Sequence, residues 1–452
     1  MNVAEAKTPG VGWIYTYLAI QFLCQLLLLV PSFGGARVVF RGASFGASLM
    51  LLFLVRGKPL YANLVRGVMV SVLLVLTVSW MNPEGEGLIG ASAHWLFQLS
   101  IMAPLFWVAR LHVGPQGLQR VVLILWGFYA ASAATGVLQA TYPGRFQPPV
   151  SIIYTERGKA QLDALSIQLS SGDWIIRPMG LTDLPAGAGY GGFYAVLLGV
   201  GVFLIRPFAG ARIAAIATML GGAVAVYLCQ TRALVIMLGV CLIALIVISA
   251  LTGKMSRTLA IVSMVFVVGS IGFVRAVSLG GQSVTGRLAS LVANDAGTVY
   301  YTNRGMFMEY TFTELLPQHP LGAGLGRWGM MNHYFGDPRR SFWVEVQWTG
   351  WLYDGGILLM LLYPLALCIT TYTAARIAFL VRDTAVSTWA TIIFAYDVGA
   401  LALSFSYPNF AATVGIEFWL INALLLQTAG SLGLIPALRS ARSSPVTRRA
   451  IA

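Results

Sequence analysis

The stretch TRALVIMLGVCLIALIVISAL, residues 231–251, decides what kind of chain this is. Behind Thr231 and Arg232 it stays apolar for about twenty residues, the length of helix needed to cross a hydrocarbon layer roughly 30 Å thick. The composition agrees with that reading. Of 452 residues, 58% are hydrophobic and only 10% are charged, and the mean hydropathy is +0.77. Soluble chains hold about 45–50% apolar residues. Backbone polar groups in lipid must be satisfied within the spanning segment, so apolar runs of this length predict helices. The fold class is therefore all-α, a polytopic membrane protein forming a single membrane domain over 1–452.

About twelve such runs are present, with cores near 13–31, 38–55, 64–81, 88–110, 117–139, 185–206, 211–229, 231–251, 257–278, 353–376, 385–407 and 409–429. Basic residues mark one side. Arg56, Lys58 and Arg66 follow the second run, Arg110 and Arg120 the fourth, Arg206 and Arg212 the sixth, Lys254 and Arg257 the eighth, and Arg376 and Arg382 the tenth. Positive charge in short loops predicts the cytoplasmic side, and the basic tail over 430–452 falls there too. Both termini are expected inside. The formal charge of +13 is thereby assigned to topology and the lipid surface, and nothing in it predicts a nucleic-acid partner. The four cysteines, Cys24, Cys229, Cys241 and Cys368, lie in apolar runs without metal-ligand spacing and are expected to be packing residues.

One long segment departs from this apolar pattern. Residues 279–352 are expected as a large extracytoplasmic loop between the ninth and tenth spans, because lipid-exposed irregular backbone is not tolerated in hydrocarbon. From 300 to 357 the sequence carries Arg304, Glu309, Glu314, His319, His333, Asp337, Arg339, Arg340, Glu345 and Asp354, with four tryptophans. Chemistry is expected there.

Several residues are candidates, each with a plainer alternative. Arg232 stands at the external end of a span, either snorkelling to the interface or forming a fixed cation at a cavity mouth. Arg177 precedes a Gly-rich span entry and reads the same two ways. Arg41, inside the second run, is either snorkelling or buried. Arg304 is placed in the first turn of a short loop helix, where the dipole disfavours a cation and an anionic partner would offset it. Glu345, in FWVEVQWTGW, sits among aromatics, where desolvation would make it a competent proton acceptor. Its alternative is an ion pair with Arg339 or Arg340. The glycines of LGAGLGRWG follow no strand and so do not make a nucleotide site. They predict tight turns and close backbone approach at the membrane surface. His319 and His333 match no metal pattern and read as structural histidines.

In order and spacing, QTRA at 230–233, NRG at 303–305, HPLGAGLGRW at 319–328 and WVEVQWTGWLYDGGI at 343–357 resemble the O-antigen ligase and polysaccharide polymerase family of bacterial inner membranes. The resemblance covers about 220–365, with a weaker echo in RPMGLTDLP at 177–185. It implies a periplasmic-facing site that takes a polyprenyl-diphosphate-linked oligosaccharide and transfers its reducing end to an acceptor hydroxyl. Arg232 and Arg304 would hold the diphosphate, with Arg177 beside them. The family's catalytic histidine falls at or near Glu345, where this chain has none. Glu345 is then the expected general base and His333 the reserve.

A polymerase acting on a growing polysaccharide is the reading this favours. A ligase transferring the glycan to lipid A core is the alternative within the enzyme class, and a lipid-linked oligosaccharide flippase is the alternative outside it. Neutralising a diphosphate, orienting an acceptor and accepting a proton need no metal or cofactor. Trp328 and Trp343 are candidate sugar-stacking residues, and chain-length regulators or flippases are candidate protein partners.

Overall fold

The computed structural model describes residues 10–150, 159–205, 208–290 and 295–436. The tail from 437 onward, part of the expected basic tail, lies outside them, as do Arg206 and short pieces of the two long loops. Among the described residues, twelve long helices overlap the twelve apolar runs: α1 Val11–Leu27, α2 Arg37–Leu54, α3 Leu64–Trp80, α4 Gly87–Met102, α5 Pro115–Thr141, α6 Gly187–Ile205, α7 Ala209–Leu228, α8 Arg232–Leu251, α9 Met255–Ala289, α10 Gln347–Leu380, α11 Thr384–Leu403 and α12 Thr413–Ser431. Among the described residues, eight helices are long and apolar enough to cross a bilayer, or nine if α4 and its bent continuation Pro104–Arg110 make one span. α1 and α3, at 17 residues each, are shorter. The chain is a multi-pass helical membrane protein by these measures.

Packing sorts the helices into centre and rim. The apolar windows of α6 and α11 are 78% buried within the protein, against 22% for α9 and 28% for α2. α12 is buried along nearly its whole length. A helix apolar on every face that is enclosed by others forms the middle of the bundle, and one with a bare apolar face meets lipid. Small residues bring α6 and α7 together: a Cβ on Gly192 would lie 2.3 Å from the Gly222 carbonyl oxygen. Close backbone approach of this kind supplies the van der Waals contact that holds helices together in lipid. Cys24, Cys229 and Cys241 are packed inside as expected, whereas Cys368 is exposed on the flank of α10.

The loops sort by end. Lys254 donates to Ser387 Oγ at 2.8 Å, Arg257 to Thr388 Oγ1 at 2.8 Å, and Arg110 to the Leu52 and Val55 carbonyls, all at one end of the bundle. The other end gathers the start of α6, α8, α10 and α12 and the finish of α7, α9 and α11. There a small antiparallel hairpin, β1 Ser166–Gln168 and β2 Trp174–Ile176, pairs Ser166 with Ile176. Its turn is tied to α9 by the Ser170 amide on the Leu279 carbonyl at 2.8 Å. Arg41 is resolved in favour of burial: it pairs with the buried Asp183 at 2.6 Å.

Candidate functional site

The polar segment after α9 folds into helix first. Consecutive α and π turns run without interruption from Ala296 to Gln318, opened by Asp295, whose carboxylate accepts from the Thr298 amide at 2.9 Å. That contact holds the Asp295 carboxyl below its usual range. Because the helix starts at Ala296, Arg304 lies beyond its second turn and not in the first turn as the sequence suggested. The dipole argument for an anionic partner therefore lapses. Arg304 instead lies within a π turn, Tyr301–Gly305, with a second at Thr311–Leu315, and such bulges concentrate at functional sites.

The glycine-rich turn that follows docks on protein rather than on the membrane surface. Gly324 has a left-handed backbone (φ +81°), and a Cβ there would stand 2.5 Å from the Gly85 backbone. The Ala323 amide bonds the Tyr353 carbonyl at 2.9 Å, and the Glu86 amide bonds the Leu325 carbonyl at 3.0 Å. Gly356 answers from α10: at φ +61° it breaks the helix, and a Cβ would meet the Pro320 carbonyl oxygen at 2.2 Å. The loop is thus clamped between the α3–α4 turn and the kink of α10. This brings Trp328, at the end of the stretch, to the cavity described next.

That cavity, of about 610 Å³, is lined by Arg304, Glu345, His333, Trp343, Trp328 and His94, among others. Glu345 is bound to Arg304, not to Arg339 or Arg340, which are exposed nearby. The Glu345 side chain is 21% exposed and that of Arg304 33%, so the pair is neither sealed nor free in water. His333 and Trp343 are exposed on the cavity wall. Trp328 is not available as the sequence suggested: it is buried, and its indole donates to Asp354 Oδ1 at 2.7 Å. His319 lies elsewhere, 3.4 Å from Glu84.

Under the cavity lies a polar cluster that the sequence reading did not find. Asp354 on α10, 1% exposed, accepts from Trp328, contacts His94 Nε2 at 2.9 Å and accepts from Gln98 at 3.1 Å. A carboxylate taken out of water is tolerable when its lone pairs are met this fully. His94 and Gln98 are one helical turn apart on α4, so one face of that helix supplies both. The signal available in the sequence was two polar side chains four residues apart inside an apolar run.

A second cavity, of about 430 Å³, adjoins the first. Arg177, Arg232, Arg287 and Arg304 line it together with Gln230, and among the described residues no carboxylate lines it. Arg177 comes from the end of the hairpin and donates to the Ala164 carbonyl at 2.9 Å. Burial pushes its guanidinium down from the ordinary value, with Cys229 acting in the opposite direction. Arg232 is the first residue of α8, and its buried Nε has no partner. The turn before it passes through Gln230 in a left-handed conformation (φ +53°), unusual for a non-glycine residue and the kind of strain found at functional sites. Gln230 is held there by Ser283 at 3.0 Å. Arg287 was not singled out from the sequence. It reaches the cavity because α9 breaks at Gly281 and resumes in a new direction.

The sequence-predicted residues thus fall together in two adjoining spaces, and Arg304 lines both. No protein-family model matches the chain, and comparison with curated proteins finds no significant match.

Proposed function

We propose that the protein is a glycosyltransferase that polymerises polyprenyl-diphosphate-linked oligosaccharide repeat units in the bacterial inner membrane. In this reading the chain spans the membrane twelve times with both termini inside, and the site end of the bundle faces the periplasm. The observation that carries the reading is that Arg304 lines both cavities. A donor whose diphosphate rests among the arginines would present its first sugar to the space beside Glu345. Guanidinium groups suit this task through paired contacts to phosphate oxygens.

The acceptor hydroxyl attacks the anomeric carbon from the 610 Å³ cavity. A new carbon–oxygen bond forms as the bond to the diphosphate oxygen breaks with its electron pair, and the hydroxyl proton passes to Glu345. Trp343, exposed on the wall, offers a face for a sugar ring. The intramembrane carboxyls do not favour a flippase: Glu417 is held by Gln21 and Tyr129, and Asp397 by Asn422, and both lie outside these two cavities.

A deletion strain tests the reading. Single lipid-linked repeats accumulating on the outer side support a polymerase. Full-length lipid-linked polymer would point to the ligase, and repeats trapped inside would point to the flippase.

A further inference from the structure

We propose that the four-arginine cavity is matched to a diphosphate monoester, the departing lipid diphosphate, rather than to the donor diester, and that Arg287 supplies the discrimination. This rests on the proposed glycosyl transfer. The argument is a charge count on lining residues. Arg177, Arg232, Arg287 and Arg304 bring four cations, and the Glu345 carboxylate offsets the one on Arg304. Three positive charges are left without a carboxylate among the described lining residues.

A diphosphate joining a sugar to a lipid carries two negative charges. When the anomeric bond breaks, the electron pair stays on the bridging oxygen and that phosphate becomes a monoester, whose further ionisation lies near pH 6. The lipid diphosphate then carries about three charges at neutral pH. With Glu345 ionised, as it is whenever it holds no transferred proton, the cavity is one cation in excess for the donor and balanced for the product.

Two further features point the same way. The N-terminus of α8, a 20-residue helix, opens on the cavity at Thr231, Arg232 and Ala233 with no side-chain cap, and free helix amides favour anions. Arg287 is exposed, whereas Arg177 and Arg232 each bury an unpartnered Nε. Arg287 therefore stands at the rim, placed to meet the charge that appears last. Interactions stronger with the developing leaving group than with the donor accelerate the bond-breaking step. The same preference slows release of the lipid diphosphate.

The test is binding to the full chain purified in detergent, near neutral pH. The probes are farnesyl diphosphate, a monoester, and glucosyl farnesyl diphosphate, the matching diester. The monoester is expected to bind about tenfold tighter, the scale of one added charge contact in a partly screened site. Arg287→Gln is expected to shrink that ratio to about threefold or less by weakening the monoester, and Arg287→Lys to retain most of it. Equal affinities in the unaltered protein, or an Arg287→Gln that weakens both ligands by one factor, overturns the preference and leaves the cavity a diphosphate site. Saturable binding of neither ligand removes the diphosphate reading of the cavity, and the preference with it.

Discussion

At the scale of single residues, the proposed reaction rests on Glu345 and Arg304. Glu345→Gln keeps the shape of the side chain and removes its basicity. Turnover of lipid-linked donor by membranes is expected to fall by about 10²–10⁴-fold while donor binding persists. Normal polymer from Glu345→Gln, with loss in His333→Ala, would transfer the role to the histidine, which lines the same cavity. Arg232→Lys and Arg304→Lys each keep a charge but lose the planar fork. Both are expected to lower polymer yield at unchanged membrane levels, measured on gels of surface polysaccharide. Asp354→Ala is a different case, since it strands Trp328, His94 and Gln98. Each buried donor left unpaired costs about 1–3 kcal/mol, so a lowered unfolding temperature in detergent is expected, and less so for Asp354→Asn.

Arg232 was legible in the sequence as a cation where polar chain gives way to an apolar run, whereas Arg304 was singled out by the NRG resemblance and by a first-turn placement that the structure does not keep. Arg287 was not legible, since nothing in GQSVTGRLAS distinguishes it from a solvated arginine until the break at Gly281 brings it to the rim of the cavity. Asp354 was visible as a charge, but its partners on α4, some 260 residues away, are a product of packing alone. The Glu345 partner was misread for a related reason. Arg339 and Arg340 are near in sequence, whereas Arg304 arrives on a helix whose true start, at Ala296, gave no strong local signal.

At the scale of elements, the clamp between the glycine turn and α10 fixes where the loop sits. Gly324→Ala meets both an unfavourable left-handed backbone and the Gly85 backbone. Gly329, also left-handed, has open space around it. Gly329→Ala should therefore cost about 1–2 kcal/mol from backbone strain, and Gly324→Ala clearly more. Thermal unfolding of the two variants in detergent checks the order, and the opposite order would mean the turn is not docked on the α3–α4 loop. Most of the long apolar helices were legible in sequence to within a few residues, because hydropathy reports directly on the lipid that surrounds them. However, α9 runs on past its apolar core through the kink at Gly281 to Ala289, and α10 begins at Gln347, before its kink at Gly355 and Gly356. The inner arrangement of the loop was not, since it depends on carbonyl and amide contacts that leave no pattern in residue type.

At the scale of the whole molecule, the alternation of basic and polar ends sets the expected sidedness. Alkaline phosphatase fused after Gly336 should be active and the same reporter fused at the C-terminus inactive. The reverse would put both cavities on the cytoplasmic side, out of reach of an exported donor. The central helices add a second expectation. Glu417, buried between α1, α5 and α12 and held by Gln21 and Tyr129, has no cation within 4 Å among the described residues. A lone charge there would be costly, so Glu417→Gln should leave the protein folded and polymer yield near normal, whereas Glu417→Lys should remove it from the membrane.

The bond between Arg304 and Glu345 has a consequence for the timing of the reaction. While the arginine grips the carboxylate, the would-be base is occupied, and a stray water or sugar gains little by entering. An arriving diphosphate competes for the same guanidinium and loosens that grip. In the proposed transfer the pair would then work as an interlock: the donor would have to be seated before the acceptor is armed, and idle hydrolysis of a costly lipid intermediate would be held back. Initial-rate measurements should accordingly show compulsory order, donor first, and Arg304→Gln should lose that order and release free oligosaccharide into the medium.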